Sequence, residues 1–203
     1  MTDRYVMLAV LWSGWCALHS ILASLPLHHW LREHAVKAYR YYRLFYNGFA
    51  LLTLAPVLLY SYQLQGAPFF IWEGPLRLLQ ATMIGGGLVL FLAPLRHYDM
   101  GQFLGLRQLR KGTALAGLDE GGGLNTAGIL GWCRHPWYSG GLLLIWARDL
   151  DMATLIVNAV LSAYLIIGAH LEERKLLREF GEAYRRYQHA VPMFIPWKKR
   201  GAG

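Results

Sequence analysis

Arg134, His135, Pro136, Trp137 and Tyr138 run consecutively into an apolar segment, "SGGLLLIWA". Proline fixes its own φ and pushes the residue before it out of the helical region, so a helix is expected to begin at Pro136. The first amides of that helix have no carbonyl partners. Beside a guanidinium and an imidazole, they offer a site for a carboxylate or a phosphate. The same residues also read as an interfacial anchor, with Arg134 snorkelling and the two aromatics lying in the headgroup belt.

A second chemical feature stands 37 residues further on, where Glu172 and Glu173 directly follow an apolar span inside an otherwise basic segment. As a solvated helix face they would pair with Lys175 and its neighbours. As a functional pair, only one of two consecutive helical residues is expected to point back toward the helix bundle. A carboxylate aimed at the Arg134-His135 mouth would complement a zwitterion carrying both an amino and a carboxylate group.

The elements that must hold these residues are membrane helices. Of the 203 residues, 55% are hydrophobic and 16% charged, against about 25% charged in soluble proteins. Residues 5–25, 41–64, 76–95 and 153–170 each approach the roughly 20 residues needed to cross hydrocarbon. A shorter fifth segment, 137–150, is expected to form a hairpin with 153–170 through "RDLDM", its charges at the far surface. The first segment reads as a retained helix, since its apolar run is too long for a signal peptide and no small-x-small site follows. The expected fold class is therefore all-α: a polytopic protein of about five spans, forming one domain over 1–203 with N-terminal helices in 1–96, a loop in 97–133 and a C-terminal segment in 134–197.

The net charge of +8 does not point to nucleic acid, because the basic residues fall at helix ends rather than on one patch. Seventeen of the 20 lysines and arginines lie in 32–43, the 96–134 region and the tail, leaving Arg4, Arg77 and Arg148 on the other side. The positive-inside rule then puts the N-terminus outside and the loop and C-terminus in the cytoplasm, in a bacterial inner membrane or its equivalent. "PLHHWLREHAVKAYRYYR" suits an interfacial helix, and His28, His29 and His34 fit no metal-ligand spacing. Ala81, Gly85, Gly86 and Gly87 allow close helix approach. The glycine-rich part of 97–133 lacks a phosphate-loop ending and reads as a cover over the site. Cys16 and Cys133 are too far apart along the chain's topology for a disulfide. The tail, periodic through Leu176, Leu177, Phe180 and Tyr184 and ending before Pro192, reads as one amphipathic helix leaving the membrane.

Taken in order, "GWCRHPWYSGGLLLIW" and "LEERKLLREFGEAYRRYQHAVPMFIPW" resemble the C-terminal signature of the isoprenylcysteine carboxyl methyltransferase family, which is shared with membrane phospholipid methyltransferases. The resemblance covers about residues 122–197 and implies an integral membrane enzyme using S-adenosylmethionine. Carried over by position, His135, Pro136, Trp137, Tyr138 and Glu172 match the family's main cofactor-binding residues, while Leu124, Asn125 and Leu130 match weaker ones. Glu173 is expected to matter much less than Glu172. Leu130 stands where those enzymes often carry tyrosine, and Gly168 where they carry a substrate-contacting arginine, so their substrate does not transfer directly. "HYDMGQFLGLRQL" resembles membrane thiol methyltransferases, including those acting on methanethiol, and NnrU-like proteins, through His97, Asp99, Phe103, Gly105, Arg107 and Gln108.

Methyl transfer from a sulfonium requires aligned donor and acceptor, exclusion of water and a deprotonated acceptor. Gln108 is expected on the cofactor, and a thiol acceptor would need only modest help, from a nearby cation such as Arg134 or Arg107 or from a base such as His97 paired with Asp99. The expected acceptor is a small or lipophilic thiol reached from the lipid bilayer. The alternatives are an isoprenylcysteine carboxylate, a phospholipid amine, or a non-enzymatic membrane carrier or structural protein.

Overall fold

The computed structural model describes residues 2–96, 101, 124 and 126–195. His97, Asp99, Phe103, Gly105, Arg107, Gln108 and Asn125 lie outside them, as does most of the proposed cover. The described residues are helical, in the order α1 (Thr2–Leu22), α2 (Leu25–His34), α3 (Val36–Gln63), α4 (Leu76–Leu92), α5 (Pro136–Trp146), α6 (Met152–Phe180) and α7 (Glu182–Ala190), with 3-10 turns at Ala93–Arg96 and Gly128–Gly131. Four helical stretches are long and apolar enough to cross a membrane: Thr2–Leu22, Val36–Gln63, Leu76–Leu95 and Met152–Phe180. The chain is an all-α integral membrane protein. The expected fifth span corresponds to α5, whose 11 residues rise only about 16 Å, half the hydrocarbon thickness.

The chain divides into two compact units. In the first, α1 and α3 are joined by polar contacts spaced along α1, where the indole of Trp12 donates to Ser61 (2.9 Å), that of Trp15 to Thr53 (3.3 Å), and the Tyr46 hydroxyl lies 2.7 Å from Nε2 of His19. Such bonds replace the hydrophobic drive that lipid does not supply. Leu8, Trp12, Val57, Ala153 and Val157 form the buried centre of this unit. The expected interfacial helix is interrupted at Ala35, so residues 36–43 are the first turns of α3. His28 contacts Tyr39 and Tyr42, and His34 stacks on Trp30.

Asp151 caps α6, its Oδ1 accepting from the Thr154 amide (2.7 Å) and its Oδ2 from the Gly66 amide (2.6 Å). Burial pushes the Asp151 carboxyl up, but hydrogen bonds from Thr154 and Gly66 outweigh that and hold it below the ordinary carboxylate range. In the second unit, Asp149 accepts from the Trp72 amide at 3.0 Å. The "RDLD" carboxylates thus bind backbone donors.

The second unit is built on a close crossing of α4 and α5. A Cβ at Gly140 would stand 2.8 Å from the Gly87 carbonyl oxygen, and one at Gly87 2.8 Å from Leu144 Cγ. Of the small residues expected to make this contact, Gly86 and Gly87 do so, whereas Gly85 faces open space. Trp137 donates to the Phe91 carbonyl at 2.9 Å and Trp146 to Ser162 at 2.9 Å, fixing α5 against α4 and α6.

Candidate methyl-donor site

The tail does not continue outward as one helix. Gly181 adopts φ +51, ψ −123, a conformation open mainly to glycine, and the chain turns there between α6 and α7. Tyr184 and Tyr187, three residues apart, share one face of α7 and are buried with Leu124, Leu176, Leu177, Phe180 and Val191. The Tyr187 hydroxyl donates to the Leu130 carbonyl at 2.5 Å. Leu124 thus packs against this cluster, and Leu130 accepts the bond through its backbone oxygen.

Beyond α7, residues 191–194 run alongside the turn that starts α5. The Arg134 amide donates to the Pro192 carbonyl (3.0 Å), the His135 amide to that of Met193 (3.1 Å), and the Ser139 hydroxyl to that of Phe194 (2.9 Å). Cys133 is enclosed by the same segment, its Sγ 3.0 Å from the Phe194 oxygen and 3.4 Å from the Ser139 hydroxyl. Burial raises the Cys133 thiol, against opposing contributions from Ser139, the His135 backbone and Arg134. Both cysteines are free and buried. Pro136 opens α5 as expected, with His135 at its N-cap (φ −123, ψ 64).

Arg134, His135, Glu172 and Glu173 converge. Oε1 of Glu173 accepts from Arg134 Nε (2.6 Å) and contacts Nη2 (2.5 Å), while Nη1 of Arg134 donates to the carbonyls of Gln188 (3.0 Å) and Val191. Gln188 returns a bond to Glu173 Oε2 at 2.9 Å, and the Tyr184 hydroxyl donates to Oε1 at 3.4 Å. Burial, and then the Glu173 charge, raise the Tyr184 phenol above its ordinary range, so it stays a donor. The His135 ring, 4% exposed, places Nε2 3.3 Å from Glu173 Oε1 and Nδ1 3.8 Å from Glu172 Oε2. Tyr138 packs edge-on to that ring at 5.4 Å, its phenol within electrostatic reach of Glu172.

Two expectations change. Both glutamates reach the site, because the two nitrogens of one imidazole face in different directions and each meets a carboxylate. Glu173 is the more committed of the two, 12% exposed against 44% for Glu172. Arg134, 8% exposed, spends its donors on Glu173 and two carbonyls, so its role is to tie the tail to the site rather than to present a free cation. Gln188, Tyr184, Tyr187 and Ser139 were not among the sequence-derived site residues. The signal for the tyrosines was their three-residue spacing in an otherwise charged helix.

This arrangement defines a class: a polytopic α-helical membrane protein whose Arg-His-Pro helix mouth is closed by a glutamate pair and a folded-back tail. The chain is similar to methanethiol S-methyltransferase 1 of Bradyrhizobium diazoefficiens, with 30% identity over 189 residues, 89% of this chain and 63% of that protein. It is similar also to methanethiol S-methyltransferase of Mycobacterium tuberculosis, with 27% identity over 164 residues, 76% of this chain and 64% of that protein. More distantly, it resembles protein-S-isoprenylcysteine O-methyltransferase of Schizosaccharomyces pombe, with 35% identity over 79 residues, 36% of this chain and 33% of that protein. No model of a known protein family matches the chain, and no solved structure matches it. The chain is similar to these methyltransferases over most of its own length. It spans less than two thirds of the length of the two methanethiol S-methyltransferases.

Proposed function

We propose that the protein is an integral membrane methyltransferase that transfers a methyl group from S-adenosylmethionine to a small or lipophilic thiol. The observation that carries this reading is the division of labour between the glutamates. Arg134 neutralises Glu173, which leaves Glu172 partly exposed and 3.8 Å from the nearest His135 nitrogen, beyond direct hydrogen-bond reach. A carboxylate so placed suits an ammonium group, and the leading amides of α5 suit a carboxylate. The residues present therefore fit a zwitterionic donor.

When bound, S-adenosylmethionine supplies an electrophilic methyl group on a sulfonium. The chain's part is to orient and to exclude water. Glu172 and the α5 amides would hold the two ends of the amino-acid moiety, and His135, Tyr138 and Phe194 would supply an apolar and aromatic surround. Among the described residues, the charges meeting at His135 are one cation and two carboxylates. That balance favours a cationic donor and an acceptor that enters neutral, which supports a thiol over an isoprenylcysteine carboxylate. A thiol acceptor must give up its proton for methylation. His97 with Asp99 is the proposed base, and Arg107 the cation that favours the thiolate.

The decisive experiment gives purified protein in detergent a labelled donor and a panel of methanethiol, larger thiols, a prenylcysteine and phosphatidylethanolamine. Label transfer to thiols is expected. Transfer confined to the prenylcysteine carboxylate or the lipid amine would overturn the thiol assignment, and failure to bind the donor or its demethylated product would overturn the enzyme.

A further inference from the structure

Gly168 lies one helical turn before Glu172 on α6, and the ring of Tyr138 covers it. A Cβ built at Gly168 would stand 3.2 Å from Tyr138 Cε1 and 3.6 Å from the hydroxyl oxygen. The backbone does not call for glycine at this position, because the positive-φ glycines among the described residues are Gly74, Gly128 and Gly181. Glycine also weakens a helix relative to alanine. Space is what the position provides. The ring that uses this space carries its hydroxyl 3.6 Å from that Cβ, one turn from Glu172 and within its electrostatic reach, and Glu172 is 44% exposed.

We propose that Gly168 is a positioning residue for the methyl-donor site: lacking a side chain, it lets Tyr138 lie against α6 with its hydroxyl on Glu172, and that hydroxyl aims the Glu172 carboxylate. The proposal rests on the reading of Glu172 as the donor's ammonium partner. A methyl group at 168 displaces the ring by a few tenths of an ångström at the point where it leans on α6. The hydroxyl moves with it, and Glu172 regains the rotamer freedom that an exposed carboxylate ordinarily has.

The test is a double-mutant cycle on the full chain in detergent, using Gly168→Ala, Tyr138→Phe and the double variant. The readouts are the Kd of S-adenosylhomocysteine, the donor KM and kcat, and the melting temperature. Each single change is expected to weaken binding by about tenfold, the worth of a hydrogen bond to a charged group. The double variant is expected to bind no more weakly than either single one, with the loss in donor KM rather than kcat and with Gly168→Ala melting no lower than wild type. Wild-type binding by Gly168→Ala, or single losses that multiply to about a hundredfold in the double variant, would overturn the proposal. Wild-type protein that binds no donor analogue removes the donor reading itself and this inference with it.

Discussion

Arg134 and Glu173, 39 positions apart in the chain, meet through one carboxylate oxygen that lies 2.6 Å from Nε and 2.5 Å from Nη2. The same guanidinium holds the carbonyls of Gln188 and Val191, so one side chain joins the mouth of α5, the end of α6 and the tail. Arg134→Ala leaves a largely buried carboxylate without its counter-ion, a loss of about 3–5 kcal/mol. Thermal unfolding in detergent is expected to show a lowered midpoint, with Arg134→Lys recovering only part of it because lysine lacks the fork. An unchanged midpoint for Arg134→Ala would show that the tail is held by other contacts.

Gly140 is a packing requirement rather than a chemical one. A methyl group there would stand 2.8 Å from the Gly87 carbonyl oxygen, a backbone atom unable to swing aside. Gly140→Ala is expected to cost about 1–3 kcal/mol through forced separation of α4 and α5. Gly85→Ala, which meets nothing within 4 Å, is the control and should melt no lower than wild type.

The apolar runs made α1, α3, α4 and α6 legible in the sequence, because a bilayer demands a length that hydropathy reports directly. Pro136 made the start of α5 legible for a local reason, its locked φ. The return of the tail onto 130–139 was not legible. It depends on Gly181 taking a positive φ and on Tyr187 finding a carbonyl 57 positions away, neither of which leaves a periodic signal. The roles of Glu172 and Glu173 were hidden for a similar reason. Helical phase separates the two side chains by about 100°, but it does not reveal that one imidazole lies between them.

The Asp151 cap predicts a pH dependence. Its folded pKa lies below the ordinary carboxylate value because, against burial, hydrogen bonds from the Thr154 side chain and from the Thr154 and Gly66 amides favour the charged form. The stabilisation is therefore complete above the unfolded value of about 3.9 and is lost as pH falls through the lower, folded value. Asp151→Ala is expected to cost about 0.5–2 kcal/mol near neutral pH. The gap between wild-type and Asp151→Ala melting temperatures should narrow as pH falls from about 6 to about 3. A gap independent of pH over that range would show that the cap does not act through its charge.

The distribution of lysine and arginine predicts a cytoplasmic C-terminus, with 17 of the 20 on the side that carries the Arg134 region and the tail. In a bacterial host, a phosphatase fused after Gly203 is expected to be inactive and a cytoplasm-dependent fluorescent reporter bright. Phosphatase activity from that fusion would invert the proposed topology and place the donor site on the wrong side for a cytoplasmic cofactor.

The two glutamates should separate in a paired measurement of binding and stability. Glu172→Gln removes a charge that is 44% exposed and 3.8 Å from the nearest His135 nitrogen, so little folding free energy depends on it. If this carboxylate holds an ammonium group, affinity for the donor analogue falls by more than tenfold while the melting temperature holds. Glu173→Gln keeps the shape but removes the charge opposite Arg134, so the guanidinium is left buried without its counter-ion and the melting temperature falls first. Its effect on affinity then follows indirectly, through loosening of Gln188 and Tyr184, which also bind this carboxylate. Full-length variants in detergent, titrated with S-adenosylhomocysteine and melted in parallel, decide the matter. A Glu173→Gln protein that melts like wild type yet loses binding, beside a Glu172→Gln protein that keeps it, would exchange the two assignments.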